Sequence, residues 1–196
     1  MFAFKEKKLK RLLKRATALH NYRQSNKVTD NAIKKESDLY LSMAKIYDKL
    51  TTRKKYPHAW HSALINYRSA AMLGDSTAQY IVGERLTEEA KFWDKQKEGV
   101  YASTVYSKYA TMYFEEAYAF FDAAAKSNFS KAKRMKGLLL INGWGVAQDT
   151  DEGLKLVIES IEQDGSWDKA AQIFGELGLN KPEFFNAIMT HKQSRS

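Results

Sequence analysis

The chain has 196 residues, 44% of them hydrophobic, with 2 Pro, 10 Gly and no Cys. Such a length supports one moderate domain with a continuous core, and the lack of Cys excludes disulfides and thiolate metal sites and fits a cytoplasmic setting. The net charge of +9 is unevenly held: residues 1–60 carry 16 Lys/Arg and 5 Asp/Glu, a balance of +11, whereas residues 61–196 balance at −2.

Residues 2–20 predict a short amphipathic helix. Phe2, Leu9, Leu12, Leu13, Ala16 and Leu19 gather its apolar side, and Lys5, Lys7, Lys8, Lys10, Arg11, Lys14 and Arg15 supply charge. No continuous apolar stretch follows, which argues against a cleaved secretory signal. No run of about 18 apolar residues occurs anywhere, so no transmembrane span is expected. Four readings of this basic helix stand side by side. It is a capping helix with a solvated face, a docking helix for an acidic protein, a peripheral anchor on an anionic membrane surface, or a contact to nucleic-acid phosphates. Its candidate contact residues are Lys7, Lys8, Lys10, Arg11, Lys14 and Arg15. Nucleic acid is disfavoured, because no stacking platform is interleaved with the basic residues and the rest of the chain is near neutral.

Residues 22–33 are polar and read as a loop or linker. The organisation expected is therefore a basic helix and linker over 1–36, a helical body over 37–190 and a flexible tail over 191–196. In the body, Ser37-Asp38 opens a helix to about Leu50, and residues 51–57 form a basic turn stopped by Pro57. Residues 58–72 and 76–94 predict a helix pair. A long helix starts near Tyr101. Further helices are expected over 150–163, 166–177 and, after Pro182, 183–189. The fold class expected is all-α.

Three segments share one spacing pattern. The first is Ala63, Tyr67, Ala70, Ala71, Gly74, Ala78, Val82 and Gly83. The second is Ala117, Phe120, Phe121, Ala124, Ala125, Asn128, Ala132, Gly137, Gly143, Gly145, Val146 and Asp149. The third is partial: Gly153, Leu156, Gly165, Ala170, Phe174 and Gly175. In the first two, a small pair falls 7 and 8 positions after the first Ala, Gly or Asn falls at 11, and another Ala at 15. Small residues two helical turns apart let a neighbouring helix approach closely. Gly74 and Asn128 are placed to end their helices in the left-handed conformation. Ser76 and Ser130 are candidate caps of the helices that follow. Repeats of this kind present a surface for holding another molecule.

The stretch from Ala132 through Gly137, Gly143, Gly145 and Val146 to Asp149 resembles the Sel1-like repeat, a relative of the tetratricopeptide repeat. The family pattern departs here at Lys136, Leu140, Gly153 and Leu156, and Ser160-Ile161 stands where paired Ala are usual. The resemblance covers roughly residues 40–178. It implies an α-solenoid of tetratricopeptide-like helix pairs. It also implies an adaptor or scaffold with protein or peptide partners, of a kind found in bacterial signalling, envelope and secretion assemblies.

One interval is longer than the pattern requires. Ala78 to Ala117 spans 39 positions against 21 from Ala132 to Gly153, and the extra 18 include Trp93, Lys95, Gln96, Lys97, Glu98 and Gly99. Insertions in repeat arrays fall on one face and often carry binding function; the alternative is an elongated helix packed on its neighbour. The following helix carries two apolar lines: Tyr106, Tyr109, Tyr113, Ala117 and Phe120; and Phe114, Tyr118, Phe121 and Ala125. Both lines suit a core, with Tyr106 and Tyr109 as candidates to face a groove and meet a partner. Trp93, Tyr106 and Tyr109 are therefore the candidate contact residues of the body.

Catalytic signatures are lacking. Gly143-Trp-Gly145 has no third Gly and no preceding strand, so it reads as a helix–helix turn rather than a phosphate loop. His58 and His61 have no third ligand in pattern. Glu88-Glu89 and Glu115-Glu116 read as solvated faces. The expectation is a non-catalytic adaptor with no cofactor, no metal and no small-molecule substrate.

Overall fold

The computed structural model of the chain describes residues 2–25, 29–98, 103–179, 181–184, 186 and 190. Among them, regular structure is entirely helical: α1 (Phe2–Ser25), α2 (Asp30–Asp48), α3 (Ala59–Met72), α4 (Ser76–Gln96), α5 (Thr104–Lys126), α6 (Ser130–Asn142), α7 (Thr150–Asp164), a 3-10 turn (Trp167–Lys169) and α8 (Ala170–Glu176). The fold is all-α. Two compact units divide the chain, Met1–Val82 and Gly83–Ser196. Their charge follows the sequence: 17 Lys/Arg against 6 Asp/Glu in the first, 15 against 17 in the second.

In the first unit, α1 sets Leu12 and Ala16 on Leu39 and Met43 of α2, flanked by Leu9 and Leu19. Both helices are longer than expected. α1 continues to Ser25, and α2 opens at Asp30, where the Thr29 hydroxyl accepts the Ala32 N–H at 3.3 Å. Residues 21–25 and 30–36 are thus helix, not linker. The polar composition that suggested a linker has another cause. Glu36 is 1% exposed. Its carboxylate accepts the Arg23 Nε–H at 2.9 Å, and His20 Nδ1 lies 3.3 Å away. Here the α1–α2 pairing is held by a buried ion pair, a contact that leaves no apolar periodicity to read.

The repeat positions are buried as their spacing predicts. Ala63, Ala70, Ala78, Ala117, Ala124 and Ala132 are all 0% exposed. Gly74 and Asn128 have φ of 89° and 61°. The Gly74 N–H donates to Ala71 O at 3.0 Å and the Asp75 N–H to Ala70 O at 3.2 Å. Asn128 and Phe129 repeat this on Ala125 and Ala124, at 2.9 and 3.1 Å. The paired alanines therefore supply the last carbonyls of α3 and α5 in the same double-bonded cap. The serines do not cap the next helices. Both lie one position too late, inside the first turn: the Asp75 carboxylate accepts the Ala78 N–H at 2.7 Å, and α6 is preceded by Phe129, which has no side-chain cap.

In the second unit, a Cβ at Gly83 of α4 would lie 2.7 Å from the Phe121 ring of α5. α6 and α7 meet backbone to backbone. A Cβ at Gly137 would lie 2.5 Å from Gly153 O, and one at Gly153 2.7 Å from Gly137 O. The turn expected at Gly143-Trp-Gly145 follows α6, with the two glycines at φ 66° and 68°. Trp144 between them stacks on Phe114 at 5.1 Å, and Asp149 then caps α7 by accepting the Glu152 N–H at 3.0 Å. The core continues through Leu138, Ile141, Val157, Ile158, Ile161, Ile173 and Phe174. The single helix expected over 166–177 is instead the 3-10 turn followed by α8. Residues 182–184 are helical, whereas 187–189 and the tail 191–196 lie outside the described residues.

Asp122 joins α5 to α6, with Lys136 Nζ at 2.7 Å and, on its own helix, Lys126 Nζ at 2.7 Å. Burial works to raise its pKa, but the hydrogen bonds and charge of the two lysines prevail and hold it below the ordinary 3.8. A depressed carboxylate contributes stability that is fully present above its unfolded value and is lost as pH falls through the folded one. Asp122→Asn is therefore expected to flatten the fall in stability below about pH 4. Urea midpoints measured from pH 6 down to 2.5 check this. A second expectation concerns the Gly137–Gly153 contact. Gly153→Ala should destabilise by about 1–3 kcal/mol, although Ala is the better helix former by about 1 kcal/mol. Gly74→Ala, where the added Cβ meets nothing within 4 Å, should cost only its left-handed strain, about 1–2 kcal/mol. Chemical denaturation of both variants decides between backbone collision and conformational strain.

Candidate functional site

The three aromatic residues singled out from the sequence come together. Trp93 lies in the last turn of α4, and Tyr106 and Tyr109 lie in the first turns of α5. The Trp93 ring stacks on Tyr106 at 5.3 Å with planes 27° apart, and meets Tyr109 at 5.3 Å tilted by 54°. Phe92 stands edge-on to Trp93 at 5.3 Å. The added 18 positions have mostly gone into helix length: α4 has 21 residues and α5 has 23, against 14 in α3 and 13 in α6.

This cluster is only partly covered. Phe92 is 52% exposed, Val105 45%, Tyr109 41% and Met112 48%. Val105, Tyr109 and Met112 follow at i, i+4 and i+7, so they form a line on α5. The buried line of that helix is a different one: Ala110, Phe114, Ala117, Phe121 and Ala124. The tyrosine line is thus not core at its start. Tyr106, Tyr113 and Phe120 are half-buried, Tyr109 is exposed, and of this line only Ala117 is buried. Trp93 Nε1 is shielded from solvent and has no hydrogen-bond partner among the described residues. Charges stand at the edge, where the Asp94–Lys97 pair at 2.7 Å closes the end of α4. An apolar, aromatic centre with a charged edge is the composition of a protein contact. Phe92, Val105 and Met112 escaped sequence reading. The signal for Val105 and Met112 was their i, i+4, i+7 spacing with Tyr109, masked by a second apolar line beside it; Phe92 on α4 has no such pattern.

The six basic residues are all exposed on α1 in the first unit. Lys7, Lys8, Arg11 and Arg15 line a groove of about 340 Å³ with Leu12 at its floor. At 100° per residue, Lys14 lies on the same flank, and these five cover about a third of the circumference. Lys10 lies beyond them, beside Glu6. Glu6 accepts the Tyr56 hydroxyl at 2.5 Å and Lys55 Nζ at 3.3 Å. Those hydrogen bonds, from Tyr56 first and then Lys55, hold its carboxyl below the usual range.

A third cluster was missed. His20, Arg23, Glu36, Tyr40 and Ser69 line a cavity of about 250 Å³ with Met72 and Leu73. Burial, followed by the Glu36 charge, raises the Tyr40 pKa. Both Glu36 oxygens already have partners in Arg23 and His20, so the cluster reads as internal bonding between α1 and α2. Among the described residues, no three metal-ligating side chains of His, Cys, Asp or Glu come together, and no helix is long and apolar enough to cross a membrane.

Neither a scan against protein-family models nor a search of curated proteins found a match to the chain.

The aromatic cluster divides into a structural and a surface member. Tyr106→Ala removes the ring stacked on Trp93 and should lower stability by about 1 kcal/mol beyond the buried area lost. Tyr109→Arg, at an exposed position, should change stability by less than about 0.5 kcal/mol. Thermal melts of the two variants test that division.

Proposed function

We propose that the chain is a non-catalytic adaptor, an α-solenoid of Sel1-like helix pairs that holds a partner protein or peptide. The observation that carries this reading is the Trp93 cluster. An indole sits against Tyr106 and Tyr109 with its N–H shielded from solvent and unpartnered among the described residues, beside exposed Phe92, Val105, Tyr109 and Met112. Aromatic anchors of this size dominate protein interfaces, because they bring large contact area with few rotors to freeze. Tyr109 adds a hydroxyl at the surface for orientation.

The repeat character is supported by the shared spacing, the paired-alanine caps and the Gly143-Trp-Gly145 turn. The Sel1-like resemblance extends the proposal to a cytoplasmic component of a bacterial multiprotein assembly, of the secretion or signalling kind. No cofactor enters this reading.

The test is affinity capture of the tagged full chain from its native cell, with mass spectrometry, beside Tyr109→Arg. The expected result is a stoichiometric protein partner captured by the parent and lost from the variant, with unchanged far-UV circular dichroism. A partner retained in full by Tyr109→Arg removes this surface from the proposal.

A further inference from the structure

We propose that α1 binds the phosphate backbone of duplex nucleic acid, without regard to base sequence, through Lys7, Lys8, Arg11, Lys14 and Arg15. The apolar face of α1 is already used, with Leu12 and Ala16 buried against Leu39 and Met43. The flank beside it is an uncompensated row of cations. None of the five has a carboxylate partner among the described residues. Elsewhere the chain pairs such groups along its own helices: Lys97 with Asp94, Lys126 with Asp122, Lys155 with Glu152. On α1, Lys7 and Arg11, then Arg11 and Arg15, stand four apart with like charge, a spacing that destabilises a helix. The unit around them adds to the field. Of its 6 acidic residues, Glu6, Glu36, Asp48 and Asp75 are bonded internally.

Charge density selects the occupant. From Lys7 to Arg15 the helix advances about 12 Å, so the five cations stand about 3 Å apart along its axis. Duplex nucleic acid presents one negative charge per about 1.7 Å of axis, held in two rigid rows. An anionic bilayer also attracts basic segments, but lasting attachment takes a second signal, either an inserted apolar face or an acyl chain. Leu12 and Ala16 are covered by α2, and exposed Leu13 lies about 160° round the helix from Arg11, so no aliphatic face beside the cations is free to insert. The sequence alone disfavoured nucleic acid for want of aromatic residues among the lysines. Aromatic stacking serves single strands; a duplex backbone asks only for cations at the right density. A phosphate meets the charged heads of Lys7, Lys8, Arg11 and Arg15 at the rim of a groove whose lining is apolar. Arg11 and Arg15 bring planar forks for its oxygens.

The experiment is fluorescence anisotropy of the full chain with a labelled random-sequence DNA duplex, over a series of salt concentrations. Five phosphate contacts predict a slope of log affinity on log salt of about −4.5. A variant with Lys7, Lys8, Arg11, Lys14 and Arg15 all changed to Gln should lose affinity by at least about 100-fold near 100 mM salt, with its slope close to zero. Circular dichroism establishes that it is folded, and Lys131→Gln with Lys169→Gln should leave binding as in the parent. A second duplex of unrelated sequence should bind within about twofold. No binding near 50 mM salt, an unchanged slope in the five-fold variant, or strong preference for one sequence would overturn the proposal. Attachment to phosphatidylserine vesicles without attachment to the duplex would overturn it in favour of a membrane.

Discussion

Helices in this chain meet at the distance that a missing side chain permits. Gly137 and Gly153 bring the backbones of α6 and α7 into contact, each occupying the space where the other's Cβ would push against a carbonyl. Gly83 does the same for the Phe121 ring on α5. Alanine serves where slightly more room exists, at Ala63, Ala70, Ala117 and Ala124. Close approach of this kind raises dispersion contact along each helix pair, and it also fixes where the chain must turn. The turns then use one chemistry. A residue of positive φ follows the helix, and two N–H groups fold back onto the last carbonyls, at Gly74, Asn128, Gly143, Gly165 and Gly178 alike.

That dependence explains what sequence reading found and what it missed. Small residues, glycines and the asparagine at 128 have local physical reasons to be where they are, so their spacing locates helix bodies and ends. The boundary near residues 21–36 carried no such mark. Its helices are joined by Arg23, His20 and Glu36, and a polar contact between polar residues looks the same in sequence as a solvated loop. The caps failed for a smaller reason: Asp75 stands one residue ahead of Ser76, and Ser130 already lies inside α6, after Phe129. On α5, two apolar lines lay side by side, and only packing decides that the buried one runs through Ala110 and Phe114, leaving Tyr109 outside. The aromatic site was legible as residues and not as an arrangement.

The two candidate surfaces differ in kind, and the difference follows from what each helix has already spent on folding. α1 gives its apolar side to α2 and keeps unpaired cations outward, a surface whose attraction is long-ranged and falls with salt. α5 buries its alanine and phenylalanine line and keeps Val105, Tyr109 and Met112 outward, a surface whose attraction is short-ranged and depends on fit. Contacts of the first sort govern how fast a partner arrives; contacts of the second govern how long it stays.

Asn128 holds the one left-handed position among the described residues that is not glycine. Its side-chain oxygen accepts Lys133 Nζ at 2.9 Å, and its main-chain oxygen accepts Gln163 Nε2 at 2.7 Å. Lys133 in turn reaches Gln163 Oε1 at 2.8 Å. Residue 128 thus latches the end of α5 to α6 and α7; glycine at the same φ would keep the main-chain bond to Gln163 and forfeit the side-chain bond to Lys133. At this corner the chain accepts a less comfortable backbone in exchange for a stitch between three helices. Asparagine there is a fastening as well as a hinge pin.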